Sequence, residues 1–274
     1  MKLPKISIII TTKQEQDVIG DLLESIRRSI LKDYEIILVD NNSSDLTMEI
    51  AKRYTKKIFI KGPERSAQRN FGVKKATGKY ILVLDADMQL EKDVLRQGYQ
   101  LFEKDKEVGV IVIPERSFGQ GFWTQFKVFE REFYIDEEDI EAPRFFRKEL
   151  FKKFGGYDES ITGPEDWDLP MRMKKAGIKI GRVKSFIIHN EGRFSPWRSA
   201  KKKFYYASGA KVFLIRHPES VINKGNLLFR PVFFRKWGKL LSNPVLAIGM
   251  FCMKFIEMSG AVSGIIWSFV KKGK

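Results

Sequence analysis

Short aliphatic and β-branched runs alternate with stretches of helical period along the first 115 positions. Ile6-Thr11, Glu35-Asp40, Lys57-Ile60, Tyr80-Leu84 and Val108-Ile113 predict strands. Unbroken apolar runs, as opposed to alternating ones, suit strands covered on both faces. Between the first two, Val18, Ile19, Leu22, Leu23 and Ile26 recur at helical spacing, as do Leu46, Ile50 and Tyr54 between the next pair. This β-α-β-α order predicts an α/β fold with a mostly parallel, doubly wound sheet, helices on both faces, and ligands beyond the carboxyl ends of the strands. Thr11, Asp40 and Asp85 stand at such ends. Polar residues there also serve as turn formers and caps, and Ser43, Ser44 and Asp45 suffice to start a helix at Leu46.

Beyond the sheet pattern, residues 116–141 are aromatic and acidic, with five acids from Asp136 to Glu141, which reads as a solvated loop or helix face. Residues 142–191 resume compact folding, with Gly155-Gly156 as a turn, an acidic cluster at Glu165–Asp168 and a last strand around Phe186-Ile188. With 43% hydrophobic and 13% aromatic residues in 274, the chain can bury a large core and lacks the composition of a disordered protein. The single cysteine, Cys252, excludes an internal disulfide framework and a cysteine-rich zinc site, which fits a reducing compartment. The run Ile6–Ile10 is interrupted by Ser7 and is too short for a secretory signal, so it reads as a first strand of a cytosolic protein.

Charge is distributed unevenly. Residues 1–191 hold 34 Lys+Arg against 32 Asp+Glu, and residues 192–274 hold 16 against 2, so the net +16 falls almost wholly in the last third. An anionic partner is implied. The basic residues are mixed with Phe, Trp, Leu and Val and form no nucleic-acid reading motif, so a membrane surface competes with a polynucleotide.

Two acidic clusters carry candidate chemistry. Asp85-Ala86-Asp87 follows the apolar strand Ile81–Leu84 and places two hard oxygen ligands at the sheet's carboxyl edge, suited to Mg²⁺ or Mn²⁺ and thereby to a diphosphate leaving group. In Glu165-Asp166-Trp167-Asp168-Leu169-Pro170, proline is tolerated only in a helix's first turn, so the helix through Met173 is expected to start near Asp168. Asp168 then caps it, leaving Asp166 on the preceding loop as a general base. The competing interpretation is that the three acids only complement the helix dipole. His189 ends a strand and becomes a metal ligand if a carboxylate pair adjoins it, whereas His217 lacks such company.

These stretches resemble, in order, the family 2 glycosyltransferases of the GT-A fold. The residues carrying the resemblance are Ser7–Glu15 with Ile19, Glu35–Thr47, Arg65–Gly72, Thr77–Asp87, Gly155–Glu159, and Glu165–Leu169 with Arg172 and Gly177, spread over roughly residues 4–215. The resemblance implies an inverting hexosyl transfer from a UDP- or GDP-linked sugar. Thr11, Thr12, Glu15 and Asp40 would hold the nucleoside and Arg69 the donor. Asp85 and Asp87 would serve ribose, metal and diphosphate, Asp166 would be the base and His189 a further metal ligand. Gln14 departs from the pattern, which has Asn beside the Glu. The implied acceptor is a polyprenyl-linked or envelope glycan. A sugar-phosphate nucleotidylyltransferase is the rival enzyme, although Thr11–Glu15 lacks the glycines of a triphosphate loop. A nucleic-acid-binding protein would leave both acidic clusters unexplained, so no nucleic acid is expected.

The division expected is a catalytic domain over 1–215 and a membrane-associating helical region over 216–274. Pro244–Val270 is apolar apart from Lys254 and Glu257, long enough to span a bilayer, with two charges that cost about 2.5–3.5 kcal/mol each at its centre. These two lie three apart and can pair with each other on one helix face. Lys271, Lys272 and Lys274 beyond it oppose a single span under the positive-inside tendency. In-plane helices, or a shallow hairpin broken near Ser259-Gly260, are therefore expected at the cytoplasmic face, peripheral or monotopic, attracted by anionic headgroups and near a lipid-linked acceptor. The same apolar surface could instead pack on the catalytic domain or serve homo-oligomerisation.

Overall fold

The computed structural model describes residues 4–137, 140–209, 211–217 and 230–270. Glu138 and Asp139 of the acidic run, Glu219 and Phe229 of the basic tail, and Lys271, Lys272 and Lys274 lie outside the described residues. The strands are β1 (Ile6–Thr12), β2 (Tyr34–Asp40), β3 (Ile58–Ile60), β4 (Tyr80–Asp85), β5 (Met88–Leu90), β6 (Val108–Val112), β7 (Glu115–Phe118), β8 (Phe145–Arg147), β9 (Lys179–Arg182) and β10 (Ile187–Asn190). The helices are α1 (Ile19–Arg27), α2 (Thr47–Lys52), α3 (Arg65–Lys75), α4 (Val94–Lys104), α5 (Phe122–Glu132), α6 (Lys148–Lys153), α7 (Glu165–Lys175), α8 (Pro196–Gly209), α9 (Lys211–Arg216), α10 (Pro231–Arg235), α11 (Trp237–Ser242) and α12 (Pro244–Val270).

Two compact units divide the chain elsewhere than at residue 215. The first comprises 1–115, 142–159 and 165–190, and the second 116–141, 160–164 and 191–274. The first unit is built on a seven-stranded sheet of order β3-β2-β1-β4-β8-β6-β9. All its pairings are parallel except those of β8, which runs antiparallel between β4 and β6. The unbroken apolar runs are explained by the two cores they serve. Ile8, Ile10, Leu38, Leu82 and Leu84 pack on one face with α1 and α4, while Ile9, Ile37, Val39, Ile81 and Val83 pack on the other with α3, α6 and α7. Each such side chain removed from water contributes roughly 1.5–3 kcal/mol.

Parallel register fixes the site's frame. Thr12 lies beside Asp40 and Thr11 beside Asp85, so the polar ends of three strands form one row. At the opposite end of the strands, Glu35 accepts from Ser7 Oγ at 2.5 Å and from Thr77 N–H at 2.7 Å, and pairs with Lys57. Burial disfavours its charge, but these partners bring its pKa down to about 2.

The second unit is helical. Phe126, Phe129, Phe133, Val232, Phe233, Met250 and Met253 form its core, drawn from α5, α10 and α12. Ahead of the acidic run Asp136–Glu141, α5 buries both apolar and charged side chains, Phe126 and Phe129 with Lys127 and Glu130. Helix α12 is continuous through Ser259-Gly260, which sets aside the hairpin alternative that would break there. Glycine is there for contact: a Cβ at Gly260 would stand 2.1 Å from Ala200 O, and one at Gly264 2.3 Å from Phe204 O, so α8 and α12 meet backbone to backbone. Nor do Lys254 and Glu257 turn to each other. Lys254 Nζ lies 2.6 Å from Glu130 Oε1, while Glu257 lies 3.7 Å from Lys127 Nζ and accepts from Ser199 Oγ. Among the described residues Pro244–Ser268 is the one helix long and apolar enough, by length and composition, to cross a membrane.

Two outcomes test this account. The folded pKa of Glu35 lies below the ordinary 4.5, so its stabilisation is complete above pH 4.5 and is lost as pH falls toward 2. Glu35→Gln should cost on the order of 1 kcal/mol at pH 7, and thermal unfolding at descending pH should show the difference from wild type closing below pH 4.5. Lys254→Met leaves Glu130 buried without that cation and should destabilise by about 3–5 kcal/mol in denaturant titration.

Candidate active site

The row of strand ends carries two separate constellations. In the first, Thr12 Oγ1 donates to Asp40 Oδ1 at 2.6 Å, and Ser43 donates to the same carboxylate through N–H at 2.6 Å and Oγ at 2.7 Å. Asp40 is wholly buried, and Thr11 and Thr12 nearly so. Glu15 follows on the β1–α1 loop, its N–H donating to Thr47 Oγ1 at 2.8 Å. Gln14 takes a left-handed φ of 58° and reaches across to the facing loop. Its amide oxygen accepts from Ser44 N–H at 2.8 Å and Asp45 N–H at 3.3 Å. The longer amide thus staples the two loops that frame the strand ends.

The second constellation is ionic. Arg69, fully buried on α3, donates Nη2 to Asp85 Oδ1 at 2.8 Å and Nη1 to Asp166 Oδ1, with Glu165 at 3.7 Å. Arg144 reaches the other oxygen of Asp85 at 3.3 Å and donates Nε to Glu115 Oε1 at 2.7 Å. Glu115 Oε2 lies 3.4 Å from His189 Nδ1, and His189 Nε2 lies 3.1 Å from Asp87 Oδ2. One unbroken chain of charges thus runs Asp166, Arg69, Asp85, Arg144, Glu115, His189, Asp87. Burial opposes the charge of Asp85, but Arg69 and Arg144 overcome it and hold its carboxyl well below the usual range. Burial likewise opposes protonation of His189, yet hydrogen bonds to Asp87 and Glu115 push its pKa up to about 10.

The structure therefore joins Asp85, Arg69, Asp166, Asp87 and His189, and sets Thr12, Asp40 and Glu15 along the same sheet edge in a cluster of their own. One local expectation is corrected. Helix α7 begins at Glu165, not near Asp168, and Pro170 lies inside it. Asp168 does not cap the helix but is buried and receives Arg172 Nε at 2.8 Å. Asp166 consequently sits in the first helical turn and not on the preceding loop. Three acids in that turn complement the dipole, and Arg65 and Arg69 add cations facing Glu165. Arg144 and Glu115 were not anticipated. Glu115 ends the apolar stretch Val108–Ile113, the same signal that marked Asp40 and Asp85, but Arg144 precedes a three-residue antiparallel strand that leaves no period to read.

For a divalent cation, the fit is partial and local. Asp87 Oδ1 is buried with no hydrogen-bond partner and suits a cation, whereas His189, protonated between Asp87 and Glu115, must first release the proton of Nε2 before that nitrogen can ligate. Asp85 turns both oxygens to guanidinia, and no group of three or more His, Cys, Asp or Glu among the described residues is arranged around one point. A cavity of about 550 Å³ beside α1 and β5, lined by Asp21, Ser25, Gln89, Glu91, Asp93 and Ser185, includes none of these site residues.

Comparison with known proteins follows the same residues. The profile described as Glycosyl transferase family 2 matches residues 7–159. A PGL/p-HBAD biosynthesis glycosyltransferase of Mycobacterium bovis is 27% identical over 260 residues, covering 90% of this chain and 96% of that one. A beta-monoglucosyldiacylglycerol synthase of Trichormus variabilis is 29% identical over 198 residues, 62% of this chain but only 41% of that protein's length. In structure, the mannosyltransferase PcManGT of Pyrobaculum calidifontis, solved with GDP-Man and Mn2+, shares the fold at a TM-score of 0.64 and 17% identity, with 97% of this chain and 88% of that one aligned.

The position of Glu115 yields a test. Removing its charge should loosen Arg144 on Asp85 and His189 on Asp87 together, so Glu115→Gln should weaken Mn²⁺ binding about 10–100-fold by titration of the free-ion EPR signal. Binding equal to wild type would show that His189 does not take its orientation from Glu115.

Proposed function

Because the chain belongs to glycosyl transferase family 2 and has the GT-A fold, we propose that it is an inverting glycosyltransferase. In this reading it moves a sugar from a UDP- or GDP-linked donor to a lipid-linked or envelope glycan acceptor, with Asp166 as general base. The observation that carries this is the shared grip of Arg69 on Asp85 and Asp166, which brings a strand-end carboxylate and a helix-borne carboxylate to one guanidinium. With the family established, the nucleotidylyltransferase reading is set aside.

Thr11, Thr12, Glu15 and Asp40, along the strand ends, receive the nucleoside. Arg69 orients the donor and keeps Asp85 ionised. Asp87 and Asp85, with His189 once its Nε2 proton is released, would hold a Mn²⁺ or Mg²⁺ ion, which would supply positive charge to the diphosphate leaving group. Asp166 takes the proton from the acceptor hydroxyl, whose oxygen attacks the anomeric carbon from the face opposite the departing nucleoside diphosphate. One displacement of this kind inverts the anomeric configuration. The donor assignment is supported by the GDP-Man and Mn2+ of the mannosyltransferase that shares the fold. The acceptor assignment is supported by the diacylglycerol in the name of the Trichormus relative. The enzyme works at the cytoplasmic face of the membrane, with the first unit in catalysis and the second, which includes residues 216–274, in its attachment.

Asp166→Asn keeps the shape of the side chain and removes the base. Transfer should fall by about 10²–10⁴-fold while the affinity for nucleotide-sugar, measured by calorimetry, stays within a few-fold of wild type. Joint loss of transfer and donor binding would instead make Asp166 a structural partner of Arg69.

A further inference from the structure

Helix α12 has two unlike faces. Gly249, Gly260, Gly264, Lys254 and Glu257 point inward, where the glycines admit Phe126, Ala200 and Phe204, and the two charges meet Glu130, Lys127 and Ser199. The other face carries Val245, Ile248, Cys252, Phe255, Ser259, Val262 and Ile266, all exposed, at alternating steps of three and four. Val245 is 74% exposed, Ile248 66% and Phe255 63%. The stripe runs the whole helix, 27 residues or roughly 40 Å. On the same unit, α8 holds Arg198, Lys201 and Lys202 exposed beside Trp197 and Tyr205.

We propose that the second unit attaches to an anionic leaflet through this outer face of α12, which lies in the membrane plane and does not cross it. The proposal rests on the membrane reading above and specifies its surface. Lys254 and Glu257 are paired inside the unit, so the outer face of α12 is free of charge along its full length and can enter the acyl boundary. The packing of α8 chooses in-plane attachment over a span. Crossing would carry α8 along, since their backbones touch at Gly260 and Gly264, and would put Arg198, Lys201 and Lys202 into hydrocarbon. In the plane, those cations remain at headgroup level while the stripe enters the acyl boundary.

A second copy of the chain fits the face less well. The step of three and four is that of a coiled-coil seam, but a seam in water is flanked by charged residues. Here the flanks are Ile256, Met258, Ile265 and Trp267, which make a broader apolar face than a narrow seam. Residues 192–274 carry 16 cations and 2 anions, so two copies repel where a bilayer of anionic lipid attracts.

Cys252, the single cysteine, sits mid-stripe and exposed, which makes the depth of the helix measurable. The full chain, nitroxide-labelled at Cys252, or at Val245→Cys, Ser259→Cys or Ile266→Cys in a Cys252→Ser background, is bound to phosphatidylcholine vesicles with and without phosphatidylglycerol. Depth is read by oxygen and nickel accessibility, and circular dichroism verifies that each variant is folded. All four labels should lie at one shallow depth in the anionic vesicles, binding should weaken at least tenfold without phosphatidylglycerol, and Phe255→Asp should weaken it comparably. Depths passing from one interface through the midplane would show a span and overturn the proposal. Labels left in water on vesicle-bound protein, or buried only in a soluble dimer, would overturn it while leaving membrane attachment or self-association standing. Binding to no vesicle would remove the membrane reading as well, and donor binding measured on the same sample would show whether the glycosyltransferase reading survives.

Discussion

A single buried guanidinium organises the strand-end edge of the first unit. Arg69 has no solvent exposure, and it is held by Asp85 at the end of a strand and by Asp166 at the start of a helix 97 residues further along the chain. A cation so placed is costly unless carboxylates surround it, and the carboxylates are equally costly without it. The requirement is mutual, so α3, β4 and α7 must close on one another for any of the three charges to be buried. Arg144 extends the same demand to β8, and Glu115 and His189 carry it on to Asp87.

How much of this was legible in the sequence follows from which forces act locally. The parallel strands were readable because burial on both faces forces continuous apolar runs, and the row Thr11, Thr12, Asp40, Asp85 followed because polar residues end those runs. Strand β8 was not, since three residues paired antiparallel carry neither period nor length. The start of α7 was misplaced because Pro170 was given the weight of a local rule. Tertiary ion pairs from Arg65 and Arg69 to the acids of the first turn outweighed it, and the helix begins at Glu165 with the proline inside.

In the second unit the illegible part was the partner of each charge. A hydropathy argument treats Lys254 and Glu257 as costs borne by α12 alone, or as a pair with each other. The structure assigns Lys254 to Glu130 and Glu257 to Lys127 and Ser199, across sequence distances that no local pattern encodes. Burial opposes ionisation of Glu130, yet Lys127 and Lys254 pull its pKa well below the usual range. Ser259-Gly260 was similarly ambiguous: a small pair inside an apolar stretch marks either a break or a contact, and only the presence of α8 decides between them.

Both units therefore rest on buried lysine or arginine among carboxylates, and exposure separates their roles. Lys254 and Glu130 are 1% and 3% exposed, closed on both sides, so the pair can do little beyond fastening helices. Arg69 is equally buried, but Asp85 and Asp166 are 19% and 23% exposed. There the cation is locked in the protein while its carboxylates reach solvent. Such an arrangement fixes the position of charges that a ligand can meet, because the desolvation cost has been met on the protein side before anything binds. An ion pair sealed at both ends builds structure, and one sealed at the cationic end alone presents preorganised carboxylates to whatever enters from solvent.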